Sequence, residues 1–292
     1  MPKGLTNMTK ISTKSFSDHN RIIIVGAGLA GLACAYDLDQ SGYNVLLLEA
    51  RSRPGGRVRT YRDTFADGLY AEMGAEYVDS SDKYLRKYCE DFGLKVLPAK
   101  QYDGIYVRDQ HISMKDLKSG KKNLPFNGIK GGKLFGQESA YIQDWIEKVR
   151  SLGPSSAEVQ ALDKMSVADV LRKGGAPQDI IDLYTYTNAT ESTTISSQMS
   201  ALNMVLANSE TSAFSENTEE GRILGGNDQV PKIFAKKLGE KIRYNRPIVK
   251  IEYNEDRVTI YFAENGKRRS MSGNNCVLAL PVSILRSIKI DP

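Results

Sequence analysis

The run of residues 21–57, RIIIVGAGLAGLACAYDLDQSGYNVLLLEARSRPGGR, constrains the fold more than any other part of the chain. Arg21–Val25 is a short, β-branched apolar run, the pattern of a strand buried on both faces of a parallel sheet. It leads directly into Gly26-Ala27-Gly28-Leu29-Ala30-Gly31. Leu29, Leu32, Ala33 and Tyr36 then recur at helical spacing until Ser41-Gly42, a helix stop. A second buried strand, Asn44–Leu48, ends on Glu49.

Each part of this pattern has a physical use. Gly26 permits the tight strand-to-helix turn, Gly28 lets backbone approach a pyrophosphate, and Gly31 lets helix and strand pack closely. The helix N-terminus turns its N–H groups and positive dipole end toward phosphate. Glu49 is placed to accept both hydroxyls of an adenosine ribose, and its charge disfavours a 2′-phosphate. Strand, glycines, helix, strand and acid fall in the order of a dinucleotide-binding βαβ unit. A second glycine pair follows among arginines, in Ala50-Arg51-Ser52-Arg53-Pro54-Gly55-Gly56-Arg57. It offers another backbone approach to phosphate, with Arg57 or Arg53 as charge partner. A nicotinamide site needs no such second cradle, which argues against an NAD-dependent dehydrogenase.

These residues resemble the flavin-containing amine oxidases, the family of monoamine, polyamine and L-amino-acid oxidases. The resemblance continues at residues 68–77 (GLYAEMGAEY), 225–231 (GGNDQVP), 247–251 (PIVKI) and 277–281 (VLALP). It implies FAD as cofactor. Its implied contacts are Gly26, Gly28, Leu29, Ala30, Gly31, Glu49, Ala50, Arg51, Gly56, Arg57, Met73, Gly74, Ala75, Glu76 and Ile248. In the family the glutamate holds the FAD ribose, and the GGR segment lies along pyrophosphate and flavin. The turn at Gly74 and Ala75 packs its backbone on the isoalloxazine ring, and Ile248 meets the adenine end through its backbone. Familial L-amino-acid oxidases often carry an arginine at the position of Tyr77, where it pairs with the substrate carboxylate. Here Glu76 precedes Tyr77, and an acid beside the flavin attracts an ammonium group. The expected substrate is therefore a small-molecule amine without a carboxylate, unless Glu76 is taken up by a structural arginine or meets the flavin edge only through its backbone.

The expected fold class is α/β (α+β overall): a Rossmann-like FAD-binding domain with an inserted, largely helical substrate domain. A flexible lead covers 1–20, the FAD-binding domain 21–98 and 219–292, and the substrate domain 99–218. A hairpin is expected from 57–61 and 69–71 around a turn at 63–68. A helix follows, capped by Asp82, with Tyr84, Leu85, Tyr88 and Phe92 on its apolar face. Residues 101–113 read as strands with Tyr102, Ile105 and Val107 alternating, and 116–136 as exposed loop. Helical patterns follow at 138–151, 166–173, 177–186 and 197–209. Ser166 with Asp169 forms a capping-box pattern, and Pro177 suits a first turn. Tyr184, Tyr186, Met199 and Met204 read as core or pocket lining. Residues 222–224 lead to a turn and a helix at 230–238. Strands are expected at 241–244, 247–253, 257–262 and 270–280, with a hairpin turn at Glu264-Asn265-Gly266-Lys267.

A length of 292 residues fits about two domains. A net charge of +5, with basic residues scattered among 35 acids, gives no nucleic-acid stripe. No apolar run reaches the ~20 residues of a membrane span, and the N-terminal stretch lacks a secretory core. Three isolated cysteines and two histidines indicate neither a disulfide framework nor a metal site, and the expected compartment is cytoplasmic.

The resemblance implies oxidation of the C–N bond to an imine, with O2 reduced to H2O2. Family members continue beyond the position of Pro292, into a lysine that reaches the flavin through water and a further flavin contact. Lys289 comes too early to be that lysine, and no catalytic residue is assigned. The expectation is a truncated or split form, with a partner chain supplying the missing segment or a homo-oligomer covering the exposed surface. Alternatives are an L-amino-acid oxidase, a carotenoid-desaturase-like flavoenzyme and a non-enzymatic flavin-fold binding protein. The polar, lysine-containing stretch 101–218 speaks against the desaturase. Intact glycines with Glu49 speak against the non-enzymatic protein. Glu49→Ala is expected to weaken FAD retention and leave the fold largely intact.

Overall fold

The computed structural model describes residues 20–99, 102–127, 129, 136–192, 194–209 and 220–292. The chain divides into two compact units, Met1–Ala99 with Glu219–Pro292, and Lys100–Thr218.

The first unit is built on a four-stranded parallel sheet in the order Asn275–Leu278, Arg21–Val25, Asn44–Leu48, Ile242–Arg243. The helix Leu29–Gln40 connects its two central strands. Alternate side chains serve opposite faces of the sheet. Ile24 and Leu47 join Leu32, Ala35 and Phe234 under the helices, where Phe234 meets Tyr36, Tyr88 and Phe92 edge-on at 4.8–5.4 Å. Ile23, Val25 and Leu48 face Ile251, Ile260 and Phe262 of a second sheet. Being covered on both faces is why the first strand reads as an unbroken apolar run.

The second sheet is an antiparallel meander, Ile248–Tyr253, Val258–Glu264 and Lys267–Gly273. Lys289–Asp291 adds parallel to Ile248–Tyr253, a strand absent from the sequence expectation. Asn265 and Gly266 turn the hairpin with φ of 49° and 72°, as its two-residue loop requires. The strand expected at 270–280 is two strands in different sheets. Gly273 lies against Arg21, and Asn274 N–H donates to the Arg21 carbonyl, so the chain crosses there from meander to parallel sheet.

Two other local expectations change. Hairpin pairing is confined to Thr60–Tyr61 with Ala71–Glu72, and Leu69 is exposed. Asp82 sits at the start of Lys83–Asp91, but its carboxylate accepts from Asp79 N–H at 2.9 Å instead of from the helix. Tyr84 on that helix points to solvent, and Cys89 takes the buried place.

In the second unit Gly104–Val107 pairs with Gln110–Ser113, and Tyr102 is exposed. Residues 116–136 are expected as exposed loop, of which 128 and 130–135 lie outside the described residues. Leu117, Leu124, Phe126 and Ile129 are instead buried with Ile180 and Leu183. Arg108 lies 4.2 Å from the Phe126 ring and pairs with Asp179 and Asp182. Apolar side chains dispersed between lysines escaped the composition reading. The main helices are Gln143–Leu152, Val167–Lys173, Gln178–Ser192 and Ala201–Asn208. Tyr184, Met199 and Met204 are core, whereas Tyr186 is exposed beside Phe126. Ser166 Oγ accepts from Asp169 N–H at 3.1 Å and donates to its carboxylate at 2.6 Å. Ser166→Ala should therefore cost about 1 kcal/mol, read as a shift in the urea midpoint. No helix among the described residues is long and apolar enough to cross a membrane.

Candidate nucleotide-binding site

The end of the first strand, the glycine turn and the helix start form one cradle. Gly26 N–H donates to the Leu48 carbonyl, and the first bond of the helix runs from Leu32 N–H to the Gly28 carbonyl at 2.9 Å. The N–H groups of Leu29, Ala30 and Gly31 therefore have no partner within the helix. Leu29 is half-buried and Ala30 exposed. A Cβ on Gly31 would land on the Gly26 carbonyl, whereas one on Gly28 would meet no heavy atom within 4 Å. Gly31 is needed by the chain itself. The space over Gly28 is open.

Glu49 is buried at the end of the second strand, with 7% of its surface exposed. Its Oε2 accepts from Ala27 N–H at 2.7 Å and its Oε1 from Arg51 N–H at 2.8 Å. Each carboxylate oxygen keeps a further lone pair for a ligand hydroxyl. The Glu49 carbonyl accepts from Arg246 N–H and the Arg51 carbonyl from Asn245 N–H, so the segment entering Ile248 runs beside this acid. Ile248 itself pairs with Phe262.

The next turn closes on the first: Gly55 N–H donates to the Ala27 carbonyl at 2.7 Å, and Gly28 bridges to Gly55. A Cβ on Gly56 would stand 3.3 Å from Gly28 Cα. Arg53 is spent on this turn, donating to the carbonyls of Pro54 and Gly56 at 3.0 Å. Burial first, then the neighbouring Arg51 and Arg59, push its pKa down. Ala50 and Arg51 are exposed, and Arg51 reaches the Gly56 carbonyl at 3.4 Å. Arg57 is exposed and makes no side-chain hydrogen bond or ion pair among the described residues. Of the two arginines read as charge partners, Arg57 is the one not committed to the loop.

Met73, Gly74 and Ala75 form an exposed stretch, tied down by Met73 N–H on the Arg59 carbonyl at 2.7 Å. A Cβ on Gly74 would land on the Arg57 carbonyl, so this glycine serves a contact within the chain. Glu76 pairs with Arg222 at 2.6 Å, and Arg222 also donates to the Tyr77 hydroxyl at 2.8 Å while covering its ring. The acid read as an attractor of ammonium is thus partly neutralised. Arg222 was not singled out in the sequence, because nothing local signals a partner so distant. With Tyr70, Ala71, Glu72, Glu76 and Ile223 it lines a cavity of about 300 Å³.

Nearby, Asp228 takes a two-pronged hydrogen bond from Arg62 at 2.8 and 3.0 Å, and pairs with Lys232 at 2.6 Å. Burial alone pushes the Asp228 pKa up, but Arg62 and Lys232 outweigh it and hold the carboxyl below its usual range. A depressed folded-state pKa adds stability that is present above the unfolded value of about 3.9 and is lost as pH falls through the folded value. Asp228→Asn should therefore weaken the fold at neutral pH and flatten the acid limb of stability below about pH 4, measured by urea midpoints across that range. Among the described residues no cluster of histidine, cysteine and carboxylate side chains could hold a metal ion.

A parallel βαβ cradle with a buried acid at the second strand and a second glycine turn defines a flavin-nucleotide fold. Residues 29–292 match the model of the flavin-containing amine oxidoreductases, and the chain belongs to that family. FAD is the flavin that these residues fit. The L-amino-acid oxidase of Gloydius blomhoffii is 27% identical over 96% of this chain and 55% of its own length. That of Protobothrops flavoviridis is 28% identical over 92% and 53%. The cyclohexylamine oxidase of Brevibacterium oxydans superposes with a TM-score of 0.73 at 24% identity, covering 93% of this chain and 60% of that one. Wild-type putrescine oxidase bound to putrescine gives 0.67 at 23%, covering 94% and 61%. The chain spans about half the length of the curated relatives it matches.

Proposed function

We propose that this chain forms the FAD-binding and substrate-binding portions of an oxidase that converts the C–N single bond of an amine to an imine. The observation that carries this reading is the open position over Gly28, at a helix start beside a pinned Glu49 and an uncommitted Arg57. The open face of Gly28 and the N–H groups at the start of the helix would hold a diphosphate. Arg57 supplies the opposing charge, and Glu49 accepts the ribose hydroxyls. The turn at Gly55-Gly56 supports a longer, flavin-bearing dinucleotide over a nicotinamide one. Met73–Glu76 backs the ring, Ile248 the adenine end, and the unit Lys100–Thr218 holds the substrate. FAD held by these residues would supply a hydride acceptor for the carbon that carries nitrogen, with O2 taking the electrons to give H2O2.

The substrate reading turns on one ion pair. Glu76 favours an ammonium-bearing amine, and Tyr77 offers an aromatic wall. A second reading, an α-amino acid, is favoured by Arg222, which presents a cation beside Tyr77. The test is anaerobic mixing of the FAD-loaded protein with a primary amine, a diamine and an L-amino acid. Bleaching of the visible flavin band by an amine supports the first reading, and bleaching by the amino acid alone supports the second. A band that none of them bleaches rejects the oxidase assignment for this chain.

A further inference from the structure

Asn227 is buried, 6% exposed, in the turn before the helix Gln229–Leu238. Its side-chain nitrogen donates to the carbonyls of Ala75 and Glu76, both at 2.9 Å. Its backbone N–H donates to Glu72 Oε1 at 2.8 Å, and the same carboxylate accepts the Thr60 hydroxyl. Its Oδ1 accepts from Ile223 N–H at 3.4 Å. One side chain thus commits both amide hydrogens to two consecutive carbonyls. In a planar trans peptide, C=O and N–H point in opposite directions. Holding the Ala75 carbonyl toward buried Asn227 therefore aims the N–H of Glu76 away from Asn227, and the neighbouring Met73, Gly74 and Ala75 are exposed.

We propose that Asn227 is a positioning residue for the flavin ring: by holding the carbonyls of Ala75 and Glu76, it presents the Glu76 N–H as a fixed donor to an acceptor atom of the isoalloxazine. This rests on the reading of Met73–Glu76 as the backing of that ring. A fixed donor at that edge stabilises the electron-rich reduced form, at no cost of reorganisation. Asparagine suits the task because it carries two donors on one atom. Aspartate would set a carboxylate against two carbonyls, and serine has one donor on a shorter stem.

The test uses Asn227→Asp and Asn227→Ser in the full chain, with two readouts. Without FAD, amide exchange across residues 73–78 should quicken by about fivefold to tenfold for each hydrogen bond lost, while the parallel sheet keeps its protection. With FAD, both variants should retain the cofactor through the Glu49 end. Their flavin should show a lower midpoint potential and brighter emission than wild type. Variants that hold FAD with wild-type potential and emission overturn the proposal and leave Asn227 a structural residue. Wild-type protein that takes up no FAD overturns the cofactor reading and this inference together. If Asn227→Asp does not fold, the uncharged serine variant decides.

Discussion

Gly31→Val is expected to unfold the nucleotide-binding unit, whereas Gly28→Ala is expected to leave it folded with its FAD affinity weakened. The two glycines lie in one motif but face different neighbours. Any side chain at Gly31 collides with the Gly26 carbonyl, and Gly26 is anchored by its N–H bond to the Leu48 carbonyl of the second strand. Overpacking against fixed backbone costs on the order of 4 kcal/mol or more. Gly28 has φ of −72° and ψ of 176°, which alanine adopts without strain, and its added Cβ meets nothing. Stability should change by no more than about 0.5 kcal/mol. The methyl group would instead occupy the path of the pyrophosphate, raising the FAD dissociation constant by about tenfold or more. Thermal melts and a fluorescence titration of each variant separate the effects. Unchanged affinity in Gly28→Ala would show that no phosphate passes over this residue.

Glu49→Ala is expected to damage both fold and binding, whereas the sequence alone led to the expectation that the fold would be largely spared. The carboxylate is the acceptor for Ala27 N–H and Arg51 N–H. Removing it orphans two backbone donors, each at a cost of about 1–3 kcal/mol where water cannot replace it. The ribose loses its acceptors in the same step. Glu49→Gln separates the roles. It keeps one oxygen and turns an NH2 toward the other donor, so it should fall between wild type and alanine in urea midpoint while binding FAD weakly. An alanine variant with wild-type stability would mean that these hydrogen bonds are replaced by water.

The first strand, the glycine helix and the second strand were legible because their signals are local. A fully apolar run, glycines at fixed spacing and a Ser-Gly stop leave few alternatives, and the strand bounds agree with the reading. The Asn265-Gly266 turn and the Ser166 cap were legible for the same reason. Most of what failed depends on partners far along the chain, and Asp82 is the local exception. Asp82 has the right spacing for a cap but finds Asp79 N–H instead. The run 270–280 reads as one strand, yet Gly273-Asn274-Asn275 interrupt its β propensity, and contact of Gly273 with Arg21 divides it between sheets. Arg222 meets Glu76, and Asn227 meets Glu72 across 155 residues. No periodicity encodes such pairs, so the site's backbone cradle was readable and its polar bracing was not.

The central claim is that these residues form an FAD site, and the visible spectrum of the full chain tests it most directly. Purified protein would be mixed with FAD, passed through a desalting column and scanned beside Gly28→Ala. The wild-type chain should keep a flavin band through the column, and the folded Gly28→Ala variant should lose it. A colourless wild-type chain, or a band retained equally by both, would contradict the claim.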